Sequence, residues 1–80
     1  MKTLLLYTTS GCHLCELAKD MISGHLDGLE LQLEEVEIAD SGQLMDRYGI
    51  RIPVLRIEGA EQELGWPFSE QHFLEFARQD

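Results

Sequence analysis

The chain has 80 residues, enough for one small domain, and its 44% apolar and 26% charged residues are a globular balance that excludes a disordered or low-complexity chain. Six basic against 15 acidic residues leave a net charge of −9, which argues against a nucleic-acid or anionic-membrane surface, since both call for a basic patch. A domain this short buries only about 60–65% of its unfolded surface, so each apolar position matters.

"TLLLYT", from Thr3 to Thr8, is a short apolar run closed by Thr9, Ser10 and Gly11. It reads as a central strand covered on both faces. Leu4 to Tyr7 is too short for a secretory leader, which needs roughly 7–15 apolar residues. No stretch approaches the ~18 of a membrane span, and a cytoplasmic protein is expected. A helix follows, beginning at or just before Cys12. Leu14, Leu17, Ala18, Met21 and Ile22 recur at helical spacing as its expected buried stripe, and Gly24 is placed to stop it.

"LELQLEEVEI", Leu29 to Ile38, alternates with Leu29, Leu31 and Leu33 on one face. The phase slips at Glu34–Glu35 and resumes with Val36 and Ile38, which predicts a bulge or a strand that starts only near Leu33. A short helix is predicted from Asp40 to Gly49, with Asp40 and Gln43 at capping-box spacing and Leu44, Met45 and Tyr48 facing inward. "IPVLRI", Ile52 to Ile57, is a strand led by Pro53, a position where a missing N–H is tolerated. "EGAE" is a turn and "QELGW" an edge strand. The last helix is predicted from Ser69 to about Gln79, with Ser69 as N-cap and Phe68 and Phe73 at the spacing of a hydrophobic staple. Phe73, Leu74, Phe76 and Ala77 supply its buried face.

The order β-α-β-α-β-β-α predicts a single α/β domain over residues 1–80. A four-stranded mixed sheet would carry helices on both faces. Its first β-α-β unit is expected to be a right-handed parallel crossover and its last two strands an antiparallel hairpin.

Cys12 and Cys15 are the only cysteines. At the end of a strand and the start of a helix, the first sulfur lies beside free N–H groups and the positive pole of the helix. That favours thiolate, the form that attacks disulfides. The second sulfur, one turn along, can attack the resulting mixed disulfide. Cys12 is therefore the candidate nucleophile and Cys15 the resolving thiol. His13 between them favours thiolate when protonated, whereas Glu16 opposes it. Lys19 is read as exposed, and His25 and His72 as surface residues. A Cys-x-x-Cys within a β-α-β pattern reads as a thioredoxin-like redox motif, and Pro53 can approach the helix start across the sheet.

"LLLYTTSGCHLCELAKDMI", "YGIRIPVLRI" and "LGWPF" resemble the small glutaredoxin-like domains of the thioredoxin-fold superfamily, over a span from Thr3 to about Ala77. The resemblance implies a thiol–disulfide oxidoreductase with Cys12 as attacking thiol and Cys15 as its partner. It also implies a cis Ile52–Pro53 bond and a backbone at Ile52 that pairs with a substrate peptide or with glutathione. The sequence departs from the family in three places. Cys-His-Leu-Cys stands where Cys-Pro-Tyr-Cys or Cys-x-x-Ser with a nearby lysine is familiar. Arg51-Ile52-Pro53 replaces Thr-Val-Pro, and Gly65-Trp66-Pro67 replaces the Gly-Gly step that holds the γ-glutamyl end of glutathione. Gly65 remains the candidate for that contact, Trp66 for lining the groove, and Arg47 and Arg51 for holding a carboxylate.

A bound cofactor or metal is not expected, glutathione enters as a candidate reductant, and a monomer acting on a protein disulfide or a small thiol substrate is the expected form. Two other readings stand beside this one. Thiolates suit soft metals such as Cu(I) or Zn. However, copper chaperones follow their first helix with a hairpin, and here Asp40–Gly49 puts a helix between the second and third strands. The other reading is a redox-poor thioredoxin-fold module that uses its groove to bind a partner.

Overall fold

In the computed structural model, which describes residues 2–78, nine elements follow one another. Strand β1 is Lys2–Thr8, helix α1 His13–Ser23, helix α2 Leu26–Leu29 and strand β2 Leu31–Glu37. A 3-10 turn at Ile38–Asp40 leads to helix α3, Gly42–Tyr48. Strands β3, Val54–Ile57, and β4, Glu63–Gly65, precede helix α4, Glu70–Ala77.

The sheet has the order β2-β1-β3-β4, with β1 parallel to β2 and antiparallel to β3, and with β3 antiparallel to β4. β1 is thus an interior strand, and Leu4 to Tyr7 are all buried. Successive side chains on a strand point to opposite faces. Leu4 and Leu6 join Ala18 and Ile22 of α1 and Phe73, Phe76 and Ala77 of α4 in one core. Leu5 and Tyr7 join Ile38, Tyr48 and Val54 in a second core on the α3 side. The mixed four-stranded α/β architecture is the one the element order implies.

Five local expectations are corrected. On α1 the buried positions are Cys15, Ala18 and Ile22, whereas Leu14 and Leu17 remain 44% and 42% exposed. Two adjacent rows of helical spacing compete there. The row with the small residues Cys15 and Ala18 faces the sheet, and the larger leucines flank it. Leu29 ends the short helix α2, which the sequence reading did not anticipate, and Glu30 turns the chain with φ 56° before β2 begins at Leu31.

β2 contains no bulge and does not wait for Leu33. Its register with β1 runs one to one, from Lys2 opposite Leu31 to Thr8 opposite Glu37. Leu33 packs against the α1/α4 core and Val36 against the α3 core. The phase slip therefore records a change in which face is covered. Finally, the 3-10 turn uses Asp40, so Ser41 caps α3 instead, its Oγ accepting from the Leu44 N–H at 3.3 Å. Met45 is 46% exposed, leaving Tyr48 buried and Leu44 half-buried.

α4 starts as read. The Ser69 hydroxyl accepts from the His72 N–H at 3.0 Å, and Phe68 and Phe73 are buried in the same core. Its predicted end at Gln79 lies outside the described residues. Among those residues no helix is long and apolar enough to cross a membrane.

Candidate functional site

β1 ends at Thr8, and Thr9, Ser10 and Gly11 turn the chain into α1. Gly11 has φ +80°, a conformation that side-chain-bearing residues rarely adopt. The Cys12 N–H closes the turn on the Thr9 carbonyl at 3.2 Å. Cys12 is the N-cap of α1, with its Sγ accepting from the Cys15 N–H at 3.1 Å. The sulfur thus takes the place a serine or aspartate oxygen takes at an ordinary N-cap. A disulfide joins Cys12 to Cys15, whose Cα atoms are 5.2 Å apart. Cys15 is only 4% exposed while Cys12 is half-buried. An incoming group therefore meets Cys12 first.

A cleft of about 360 Å³ opens beside the disulfide, bounded by the Thr8–Gly11 turn, by Glu16 and Lys19 of α1 and by Glu35 and Glu37 of β2. Lys19 bonds Glu35 at 3.1 Å across it. Glu37 holds the turn in place. One carboxylate oxygen accepts from the Ser10 N–H at 3.1 Å and the Ser10 hydroxyl at 3.4 Å, the other from the Ala39 N–H at 3.1 Å. A hydrogen bond from the Thr9 side chain, followed by that from Ala39, holds its pKa below the usual carboxylate range. The sequence reading missed Glu37 and Glu35. The parallel pairing of β1 with β2 was expected, but not its register, which sets Glu37 opposite Thr8.

The remaining candidates divide into two groups. Ile52, Pro53, Gly65 and Trp66 come together at the β3–β4 end. Gly65 pairs with Val54, and the Trp66 N–H donates to the Pro53 carbonyl at 3.1 Å. The Ile52–Pro53 and Trp66–Pro67 bonds are both cis. Since Val54 pairs with Tyr7, Pro53 reaches the end of β1 from which the cysteine turn departs. The half-buried Trp66 ring meets Phe68 edge to face at 5.2 Å. His13 is exposed on the first turn of α1.

Arg51 belongs to the second group, on the α3 face. Its Nη2 donates to Glu63 at 2.9 Å, and Arg47 reaches the same carboxylate at 3.4 Å. The Tyr48 hydroxyl donates to Glu63 as well. Tyr48 stacks on Tyr7 at 4.2 Å, and the Tyr7 hydroxyl accepts from Arg56 Nε and Nη2, each at 3.1 Å. Arg51 is thus already engaged with a carboxylate of its own chain. Burial, then the bond to Glu63, pushes the Tyr48 phenol up to about 12.

Burial alone would raise the Glu63 pKa. The bonds from Tyr48 and Arg51 and the charges of Arg51 and Arg47 outweigh it and lower the value below 4.5. A lowered folded pKa stabilises the fold above the unfolded value, and that contribution is lost as pH falls through the folded value. We therefore expect the urea midpoint to fall more steeply between roughly pH 5 and pH 3 in the wild type than in Glu63→Gln. Parallel profiles would mean that Glu63 does not gain from this network.

Among the described residues no three His, Cys, Asp or Glu side chains group as a metal site. A β2-β1-β3-β4 sheet with helices on both faces, a Cys-x-x-Cys where β1 meets α1 and a cis-proline before β3 together define a thioredoxin-fold protein of the dithiol type. Residues 3–76 match the family described as Glutaredoxin-like domain (DUF836), and the chain belongs to that family. It is similar to the Northeast Structural Genomics target protein XcR50 from X. campestris. The X-ray structure of XcR50 is 34% identical, covers 91% of this chain and 92% of its own, and superposes with a TM-score of 0.78. Its solution structure gives 34%, 95%, 91% and 0.77. Comparison with curated proteins gives no significant match.

Proposed function

We propose that the protein is a thiol–disulfide oxidoreductase that reduces or exchanges disulfides of proteins or small thiols. In the reduced protein the Cys12 thiolate attacks one sulfur of a substrate disulfide. The other sulfur leaves as a thiolate, and Cys12 is held in a mixed disulfide. Cys15 then gives up its proton and attacks the Cys12 sulfur, which releases the second substrate thiol and forms the Cys12–Cys15 bond. The substrate gains the two electrons that the dithiol loses. A small dithiol or two thiols, with glutathione as a candidate, restore the reduced pair. The electrons travel through the two sulfurs, so the reaction needs no bound cofactor.

One observation carries this reading. The approachable sulfur is also the N-cap of α1 and accepts an N–H bond, while its partner is shielded one turn behind. The helix pole and that N–H favour the Cys12 thiolate. The backbone around Ile52 and Pro53, with Gly65 and Trp66, is the proposed substrate rim, and His13, next to Cys12 in the chain, is the proposed tuning residue. We take the working form to be a monomer and its setting to be the cytoplasm, where a lone dithiol pair is catalytic more often than structural.

Titration in glutathione and dithiothreitol buffers, with the thiol pKa values recorded, tests the proposal. We expect a reversible two-electron midpoint within about −200 to −270 mV and a Cys12 pKa below about 7.5. A pair that does not form the disulfide, or two ordinary thiols, would overturn it.

A further inference from the structure

We propose that the cleft beside the disulfide selects positively charged disulfides, such as a protein disulfide flanked by lysine or arginine, over glutathione. The proposal rests on the thiol–disulfide reading and names its substrate class. Three carboxylates, Glu16, Glu35 and Glu37, border the cleft against one ammonium, Lys19. Lys19 is engaged with Glu35 at 3.1 Å, so its charge is offset by a carboxylate of the same cleft. Glu16 is exposed in the first turn of α1, next in the chain to Cys15.

The other five cations of the chain are placed elsewhere. Arg47 and Arg51 bond Glu63, and Arg56 bonds Tyr7 and the Ala60 carbonyl, all on the α3 face. Lys2 and Arg78 line a different cleft, at the starting end of β1, about 20 Å of strand from Thr8. Oxidised glutathione, a dianion in net charge, therefore approaches a cleft of its own sign on a chain of net charge −9. A cationic disulfide approaches one of opposite sign. Fields of this kind change encounter rates by roughly 10–10³-fold at low salt, and they are screened beyond about 10 Å at 0.1 M salt.

The test compares three small disulfides: cystamine, a dication; hydroxyethyl disulfide, which is neutral; and oxidised glutathione. Dithiothreitol is the reductant, and each rate is divided by the uncatalysed rate of dithiothreitol with the same disulfide. Each turnover passes two electrons from dithiothreitol through Cys12 and Cys15 to the substrate, giving two thiols and oxidised dithiothreitol.

At low ionic strength we expect cystamine to exceed oxidised glutathione by about tenfold or more, with the neutral disulfide between them. The ratio should shrink towards unity as salt approaches about 1 M. Glu16→Gln with Glu35→Gln removes two of the three carboxylates and frees Lys19, so the ratio should fall several-fold at low salt. Glu37 is left intact because it holds the cysteine turn. Turnover of all three disulfides without a charge preference, or a ratio the double variant does not move, overturns the charge selection and leaves the redox reading standing. No turnover on any of the three overturns both.

Discussion

Cys12→Ser reduces disulfide turnover to the uncatalysed background, whereas Cys15→Ser, mixed with a substrate disulfide and no added thiol, stops after the first step with the substrate bonded to Cys12. These are the expected results if the half-buried sulfur attacks and the buried one resolves. The thiolate is the nucleophile in disulfide exchange, and a serine hydroxyl does not ionise at neutral pH. The loss in Cys12→Ser is not a folding defect in disguise. The Cys12 side chain caps α1 by accepting the Cys15 N–H, and serine is among the best residues for that position.

In Cys15→Ser the adduct persists because nothing within the protein can displace it, and intact-mass measurement should show one substrate thiol added per chain. The unmodified reduced protein should react with an alkylating agent at Cys12 well before Cys15, which is 4% exposed. An adduct that persists equally on the reduced wild type, again without added thiol, would mean that the second cysteine has no resolving role. Turnover by Cys12→Ser would reverse the two assignments.

Phe73→Ala is the substitution with the largest expected effect on stability. Phe73 is fully buried between α4 and the sheet, in one core with Leu4, Leu6, Ile22 and Phe68. Truncating such a ring costs about 3–5 kcal/mol, from lost burial and from the cavity left behind. At roughly 0.05–0.15 kcal/mol per residue an 80-residue domain has only about 4–12 kcal/mol to lose. The variant should therefore be far less stable in urea, or largely unfolded in buffer, with unfolding followed through the fluorescence of the single tryptophan, Trp66. Leu14→Ala is the companion measurement. Leu14 is 44% exposed, so it should cost less than about 1 kcal/mol. Equal losses in the two variants would mean that α1 presents its Leu14 row to the sheet and that the packing described above is wrong.

Much of this protein follows from local signals. The run Leu4–Tyr7 requires cover on both faces, and an interior strand is the arrangement that supplies it. Ser69, with Phe68 and Phe73 around it, sets the start of α4 because a cap and a staple act over a few residues. Cys12 and Cys15, three apart after a strand and a glycine, marked the site because a helix N-terminus acts on whatever side chain lies within its first turn. Pro53 at the head of a strand belonged to the same pattern. Errors arose where two local patterns competed. On α1 the Leu14–Leu17 row and the Cys15–Ala18–Ile22 row both have helical spacing, and the sequence does not say which the sheet will admit. At Leu29 the alternation of a strand ran back into a helical turn.

By itself the sequence determined the order of the four strands and the three longer helices, the α/β class, the Cys-x-x-Cys pair and the acidic character of the chain, since these depend on residue type and on short-range spacing. Only the tertiary structure decided which charges face one another. Parallel pairing of β1 with β2 brings Glu35 and Glu37 beside the disulfide from more than 19 positions down the chain. Folding of α3 over β3 and β4 engages Arg47 and Arg51 with Glu63 instead of leaving them to a substrate. Electrostatic interaction depends on distance through space and on access to water, and strand register and helix docking set both only when the whole sheet is assembled.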